Sequence, residues 1–352
     1  MKRLISFVLV ATFILGLTAC GASSTENSAS AGSQNAPAAP SANAGNQEVM
    51  MIGTTISDTT PHGIALLEFE KLVEERSNGR IDVQPYLNST MGDARQLAES
   101  IQLHSLQGCI NDGASTSNFD KNFYATDLPF LFLSSEASYD ALDGALGDAL
   151  RASAEKNGMR ILGFWDGGFR DVSNSIKTVT KPEDLVGLKV RVMEAPLYLS
   201  VWKAWGANPT PMAFSEVYTA LQQGTVDGQD NGPVLTYNNK FFEVVKHYTV
   251  MEYSVTTSPF MVDISWFDAL APDLQEIIIQ TERECRELER QLQQAQATEA
   301  LEKMKAEGVE VTYLTTEQKQ AFQEIAVTAW DVVQGDLDPE IYDLCLELAG
   351  KK

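Results

Sequence analysis

Two arginines stand where a cation has a chemical use. Arg191 lies in the run GLKVRVMEA (187–195). Strand alternation puts Leu188, Val190 and Val192 on one face and Lys189, Arg191 and Met193 on the other. Arg170 lies in DGGFRDVSNS (166–175), just after two glycines that permit a sharp turn and close backbone approach. A guanidinium offers parallel N–H donors that match a carboxylate in a bidentate pair, whereas the Lys189 ammonium is a point charge on a flexible stem. Phe214, just before a helix start in NPTPMAFSEVY, and Asn231, in the turn TVDGQDNGP, add an apolar face and an amide. His62 follows Pro61 at a loop-to-helix boundary, and Trp165 sits in the strand MRILGFWDGG. Each polar residue also has a plain structural reading. Arg191 fits the wet face of a half-buried strand, Arg170 an ion pair with a surface acid, and His62 a surface imidazole. Phe214 fits a hydrophobic staple, and Asn231 fits a residue that satisfies its own turn.

Covalent chemistry has weaker support. The chain has three histidines, His62, His104 and His247, and none has a zinc-type partner four residues on. GxSxG, GxGxxG and P-loop patterns are absent, and no nucleophile has an obvious base. The expectation is a ligand-holding protein, not an enzyme, with no metal or cofactor. The formal net charge of −22 argues against nucleic acid and against polybasic membrane adhesion. Exposed charges are screened beyond about 8 Å at physiological salt, so a local cation in a cleft can still dominate there.

The elements that must position these residues alternate strand and helix. VMMIGTTIS (49–57) reads as a strand running into a polar loop. GIALLEFEKLVEERSNG (63–79) is an amphipathic helix with Leu66, Phe69, Leu72 and Val73 at helical spacing. IDVQPY is a strand, DARQLAESIQLHSLQ a helix, GCIND a strand end, and DALRASAEKNG a helix before MRILGFWDGG. KPEDLVG opens a helix before GLKVRVM, and APLYLSVWKAWG fits a short helix between Pro196 and Gly206. FSEVYTALQQG carries Ser215 as its expected N-cap and Gly224 as its stop. This alternation predicts α/β lobes with largely parallel sheets. From Pro272 to Glu307 there is no internal Pro or Gly. A continuous helix there would be about 54 Å long, enough to cross two lobes. Its apolar stripe is interrupted by Gln293, Gln294 and Thr298, which favours a crossing helix over a dimer seam.

The N-terminus reads as an export signal. Lys2 and Arg3 precede an apolar run (4–17) too short for a firm membrane span, then LTAC ending in Cys20. This resembles the lipobox of bacterial lipoprotein signal peptides, which implies cleavage before Cys20 and lipidation of its thiol. Residues 21–47 hold only small and polar residues and cannot form a core, so 20–47 is expected to be a tether. The expected location is extracytoplasmic, lipid-anchored to the cell membrane or periplasmic. Cys109, Cys285 and Cys345 have neither disulfide nor metal spacing and read as small buried hydrophobes.

Taken together, the blocks resemble one family. LVGLKVRVMEAPLYLSVWKAWGANPTPMAFSEVYTALQQGTVDGQDN looks like the signature stretch of the DctP-type solute-binding proteins of TRAP transporters. So do LLEFEKLVEERSNGRIDVQPY, STMGDAR, TDLPFLF, GFWDGGFRDVSNS and NKFFEV, in order, from about residue 48 to about 330. The resemblance implies a two-lobed periplasmic-binding-protein-like (Venus-flytrap) α/β fold, a hinge, and a long helix spanning both lobes. The expected lobes are 48–166 with about 258–297, and 167–257 with about 298–352. It also implies an organic acid held between the lobes and small and large integral membrane subunits as partners. The family's strand arginine falls on Arg191, its second arginine on Arg170, its GQEN asparagine on Asn231, and its cleft aromatic on Phe214. An acid found in sialic-acid binders falls on Asp112, and the N-terminal polar position falls on Thr55 or nearby. Two departures are Gly232, where many members read GQENP, and Ala94, where sialic-acid binders carry a second acid.

Arg191 is the expected carboxylate clamp, with Arg170 and Asn231 serving the remaining lone pairs. Phe214 and Trp165 are expected on the ligand's apolar faces. An ionised Asp112 would repel a second carboxylate and accept from hydroxyls. The favoured ligand is therefore a sugar acid such as a uronate or aldonate, with a C4-dicarboxylate as the alternative. Hinge closure would give the form that the membrane subunits recognise. An exported enzyme or a structural lipoprotein is the competing class.

Overall fold

Nine strands form one mixed sheet among residues 47–351, which the computed structural model describes. Cys20 and the signal segment lie outside the described residues. The strands are β1 (Glu48–Thr54), β2 (Ile81–Tyr86), β3 (Gly108–Ile110), β4 (Met159–Asn174), β5 (Lys189–Val192), β6 (Asn208–Pro211), β7 (Gly228–Gln229), β8 (His247–Asp263) and β9 (Glu310–Tyr313). Their order is β2-β1-β3-β8-β4-β7-β5-β6, with β9 on β8.

Two long antiparallel strands, β4 and β8, are shared by the two lobes. One end of β8 pairs with β3 at Phe260–Val262, and the other end pairs with β9 at His247–Val250. The far end of β4 pairs with β7. The expectation of largely parallel sheets therefore holds only at the flanks. The pairings β1–β2, β1–β3, β5–β6, β5–β7 and β8–β9 are parallel, while β3–β8, β4–β8 and β4–β7 are antiparallel. The β4–β8 ladder shifts register between Asp166 and Phe169. Gly168 makes this possible: its φ is +80°, and a Cβ there would lie 2.3 Å from Gln293 Nε2.

Local chemistry explains the supporting elements. Helix Pro61–Arg76 starts at Thr60, whose hydroxyl accepts the Gly63 N–H, with Pro at the first turn. Its Leu66, Phe69 and Val73 are buried against β1, β2 and β8 residues. Helix Ala94–Gln102 starts with an Asp93–Gln96 capping box. The Ser215 cap does not form. Phe214–Glu216 is a 3-10 turn, and helix Val217–Gln222 follows without a side-chain cap.

The long helix is continuous from Pro272 to Ala306, 35 residues, or about 52 Å. It packs on helix Pro61–Arg76, on β4 and on helix Pro233–Asn238, and so reaches both lobes. Its first turns bury Leu274, Ile278 and Cys285 in an apolar cluster with Phe69, Trp165 and Phe260. Its middle turns bury polar side chains as well, Glu282, Arg286, Glu289, Arg290 and Gln293, and its last turns are apolar again at Ala300 and Met304. The interrupted stripe in the sequence marks this change.

The C-terminal stretch bonds to segments from both halves of the chain. The Trp205 indole donates to the Phe322 carbonyl, but Trp330 donates to the Pro129 carbonyl and Asp338 bonds Asn122. The stretch thus ties both lobes together. Cys109, Cys285 and Cys345 are free and buried. No helix of the described residues is long and apolar enough to cross a membrane.

Candidate ligand-binding site

A cavity of about 880 Å³, its open mouth included, lies between β1, β3 and helix Pro61–Arg76 on one side and β4, β5 and the β7 turn on the other. Thr55, His62, Asp112, Arg170, Arg191, Phe214 and Asn231 line it.

The two arginines differ. Arg170 is 1% exposed, and its guanidinium is committed: Nε and Nη2 donate to Asp230 at 3.3 and 2.6 Å, and Nη1 donates to Thr256 Oγ1 at 3.0 Å. Asp230 also accepts from the Tyr253 hydroxyl at 2.6 Å. Burial opposes the Arg170 charge, but Asp230 more than offsets this and holds the group well above the usual arginine range. Arg170 is therefore not the free second cation of the sequence reading. Its positive charge is matched inside the protein by a neighbour of Asn231.

Arg191, 3% exposed, is only half committed. Nε and Nη2 both donate to the Met212 carbonyl, at 3.0 and 2.7 Å. Nη1 is buried with no partner within the protein. Burial lowers this guanidinium to about 10, partly opposed by Asp230, so it is still a cation at neutral pH. The Met212 carbonyl fixes the side edge of the fork and leaves the Nη1/Nη2 end for a second acceptor pair. Lys189, next but one on the same strand face, is exposed and spends its ammonium on the Gly224 carbonyl and Asp227.

Asn231 is held by Gln229, whose Oε1 accepts both its backbone and its side-chain N–H at 2.6 Å. Gln229 in turn donates to Ser173 and Thr236. Gly232 caps helix Pro233–Asn238, and a Cβ there would lie 2.3 Å from the Phe169 carbonyl oxygen. The departure from the family pattern is thus a packing requirement that seats the turn on β4. Phe214 is half-buried, edge-on to Phe241 at 5.8 Å, and also lines the cavity.

On the first-lobe wall, Asp112 caps the short turn Gly113–Thr116, accepting from Ser115 N at 2.7 Å and Ser115 Oγ at 3.1 Å. Both oxygens retain lone pairs for further donors. Thr55 follows the end of β1, and Ala94 lines the same side. His62 is 6% exposed, not a surface imidazole. Its Nε2 has no partner within the protein, and burial lowers it to about 4.

Trp165 corrects the sequence reading. It does not line the cavity but lies behind His62, with ring centroids 5.9 Å apart. It is packed on Phe260, and its indole N–H donates to Glu282. Alternation along β4 is broken at the bulge, so the face it occupies could not be read from spacing. Ser115, Thr256, Ser258 and Gln293 line the cavity without having been singled out. Gln293 had a signal, as the residue that interrupts the helix stripe. Thr256 and Ser258 had none, because β8 was not read as a strand.

Residues 52–336 match the model of the bacterial extracellular solute-binding protein family 7, DctP. The chain belongs to this family. It is similar to the 2,3-diketo-L-gulonate-binding periplasmic protein YiaO of Escherichia coli K12, 31% identical over 78% of this chain and 83% of the relative. It is also similar to the C4-dicarboxylate-binding periplasmic protein DctP of Rhodobacter capsulatus, 32% identical over 80% of this chain and 85% of the relative. Among solved structures, the sugar acid binding protein DctPAm of Advenella mimigardefordensis with galactonate superposes with a TM-score of 0.83 at 30% identity, covering 87% of this chain and 98% of that one. A TRAP periplasmic protein of Sulfurospirillum deleyianum with bound succinate gives 0.81 at 29% identity, covering 87% and 99%. This DctP-family chain is thus a TRAP solute-binding protein with the two-lobed fold of its relatives.

Proposed function

We propose that the protein captures a hydroxylated monocarboxylate of the sugar-acid class and presents it to the membrane subunits of a TRAP transporter. The observation that carries this reading is the half-committed Arg191: a buried guanidinium with Nη1 unpartnered, on the wall of the cavity. A ligand carboxylate would take the Nη1/Nη2 end of the fork, with Asn231 beside it and Phe214 against the carbon chain. Asp112, on the opposite wall, would accept from hydroxyls and repel a second carboxylate. Arg170 does not supply a charge for one, because Asp230 neutralises it. Relatives bound to galactonate and galacturonate support this choice. Relatives bound to succinate define the alternative, a C4-dicarboxylate. The ligand would be bound without turnover.

In this reading the lobes are 48–166 with about 258–297 and 167–257 with about 298–352, hinged at the β4 bulge, and Cys20 carries the lipid that holds the protein near the membrane. The test is a thermal-shift screen with D-galactonate, D-galacturonate, D-glucuronate and succinate on wild type and Arg191→Ala. Sugar acids should stabilise wild type more than succinate does, and the variant should respond to none. A succinate response larger than any sugar acid's would replace the substrate class, and an unchanged variant would overturn the clamp.

A further inference from the structure

On the first-lobe wall, His62 meets a buried carboxyl that no pattern in the sequence singled out. Its Nδ1 stands 3.3 Å from Oε1 of Glu289, a fully buried residue of the long helix. The other carboxyl oxygen, Oε2, accepts the Asp166 backbone N–H at 2.9 Å, just before the β4 bulge. Two atoms of this pair have no partner within the protein: Glu289 Oε1, close to Nδ1 but out of hydrogen-bond alignment, and Nε2 of His62, a residue that lines the cavity.

Three protonation patterns fit this placement. A carboxylate beside a ring protonated on Nδ1 leaves Nε2 a bare acceptor. A carboxylate beside an imidazolium puts two charges in a buried place. A carboxyl protonated on Oε1 leaves both groups neutral and, once ring and carboxyl turn into line across the 3.3 Å between them, donates to Nδ1 and requires hydrogen on Nε2. The surroundings favour the last. Asp166, on β4, faces the same carboxyl and accepts from the Tyr139 hydroxyl and the Gly168 N–H. Arg290, one residue along the helix, is spent on Asp143 and the Phe164 carbonyl. Trp165 packs beside the imidazole but gives its N–H to Glu282. Among the described residues no lysine or arginine forms an ion pair with Glu289; burial with Asp166 outweighs the pull of Arg290 and raises its carboxyl well above the usual range, while burial lowers His62.

We propose that Glu289 is a positioning residue: its carboxyl proton is donated to His62 Nδ1, which fixes His62 Nε2–H as a hydrogen-bond donor to a ligand hydroxyl oxygen. The first-lobe wall then carries one acceptor, Asp112, and one donor, His62, and the second-lobe wall carries the cation. The identity of the ligand oxygen rests on the sugar-acid reading; the tautomer does not.

The test is a long-range ¹H–¹⁵N correlation spectrum of the uniformly labelled protein near neutral pH, with the His62 signals assigned by their loss in His62→Gln. The expected pattern is a neutral ring protonated on Nε2, with and without D-galactonate. Glu289→Gln, whose amide N–H replaces the carboxyl O–H, should keep that tautomer and keep D-galactonate affinity within about threefold. Glu289→Leu, which cannot donate, should mix the tautomers and weaken affinity by about tenfold or more. A wild-type ring protonated on Nδ1, or an imidazolium, overturns the proposal, as does a Glu289→Gln protein that loses the tautomer. If Glu289→Leu fails to fold, the wild-type and Gln spectra decide alone. If wild type does not bind D-galactonate, the sugar-acid reading fails while the spectrum still decides the tautomer.

Discussion

Arg170 and Arg191 line the same cavity from neighbouring parts of one sheet, and both are almost fully buried. Arg170 meets the Asp230 carboxylate, the Thr256 hydroxyl and the face of Tyr198, 5.0 Å from its guanidinium. Arg191 meets one backbone carbonyl on one edge of its fork. A cation on a site wall is a ligand group only to the extent that the protein leaves it unspent. Arg170 shapes the wall and holds strands together; Arg191 keeps charge and donors for something that arrives.

The comparison can be broken by substitution. Arg170→Ala should cost about 3–5 kcal/mol of folding stability in urea unfolding, because it strands Asp230 as an unpaired buried charge. Removing both partners, as Arg170→Met with Asp230→Leu, should recover much of that loss. If Arg170→Ala instead leaves stability intact and abolishes binding, the assignment of the two arginines is reversed. Arg191→Ala should weaken D-galactonate binding by about 2–5 kcal/mol in calorimetric titration, the usual cost of truncating a buried charge partner. Its effect on the unfolding midpoint should be smaller than that of Arg170→Ala.

Acid pH separates two buried groups of opposite sign. His62 is lowered to about 4 from 6.5, so between those values the folded state binds fewer protons than the unfolded chain. Its contribution to stability is full above that window and is lost as pH falls through it, by up to about 1.4 kcal/mol per pH unit. Asp171, which accepts from Tyr248 and two backbone N–H groups of β8, is pushed up to about 7 by burial. Its sign is opposite: the folded state binds more protons between about 4 and 7, and stability falls as pH rises. The two slopes oppose each other, so the informative quantity is the difference between wild type and His62→Gln. The variant should lose less stability on acidification than wild type, and equal slopes would mean that His62 is not buried in its neutral form.

The smallest expected effect is at Asp112. Asp112→Asn keeps the side-chain oxygen that accepts the Ser115 N–H but removes the charge. D-galactonate binding should weaken by about 1 kcal/mol, the scale of one hydrogen bond, while succinate binding improves. A loss for both ligands alike would assign Asp112 to the cap alone.

Much of the fold was legible because its flanks are ordinary. The helix with Leu66, Phe69 and Val73, the strand IDVQPY and the uninterrupted helix from Pro272 follow from spacing, caps and the absence of breakers. The shared strand β8 was not legible. Its residues are buried nearly throughout, Thr249, Thr256 and Thr257 included, so it lacks the alternation that marks a half-exposed strand. That omission hid Thr256 and Ser258 and left the sheet looking like two parallel ones. At the site, the family resemblance pointed to Arg191 and Asn231, but the partners that decide availability come from distant segments: Met212 for Arg191, Asp230 for Arg170, Glu289 for His62. Trp165 was misplaced for the same reason, since the bulge beside it changes which face a residue occupies.

The most direct test of the account is competition between D-galactonate and galactitol, which keeps the hydroxyl chain and replaces the carboxylate with an alcohol. The account predicts that D-galactonate binds wild type and that galactitol is weaker by at least about 100-fold, with most of that preference gone in Arg191→Ala. Equal binding of the two compounds, or a preference that survives Arg191→Ala, would contradict it.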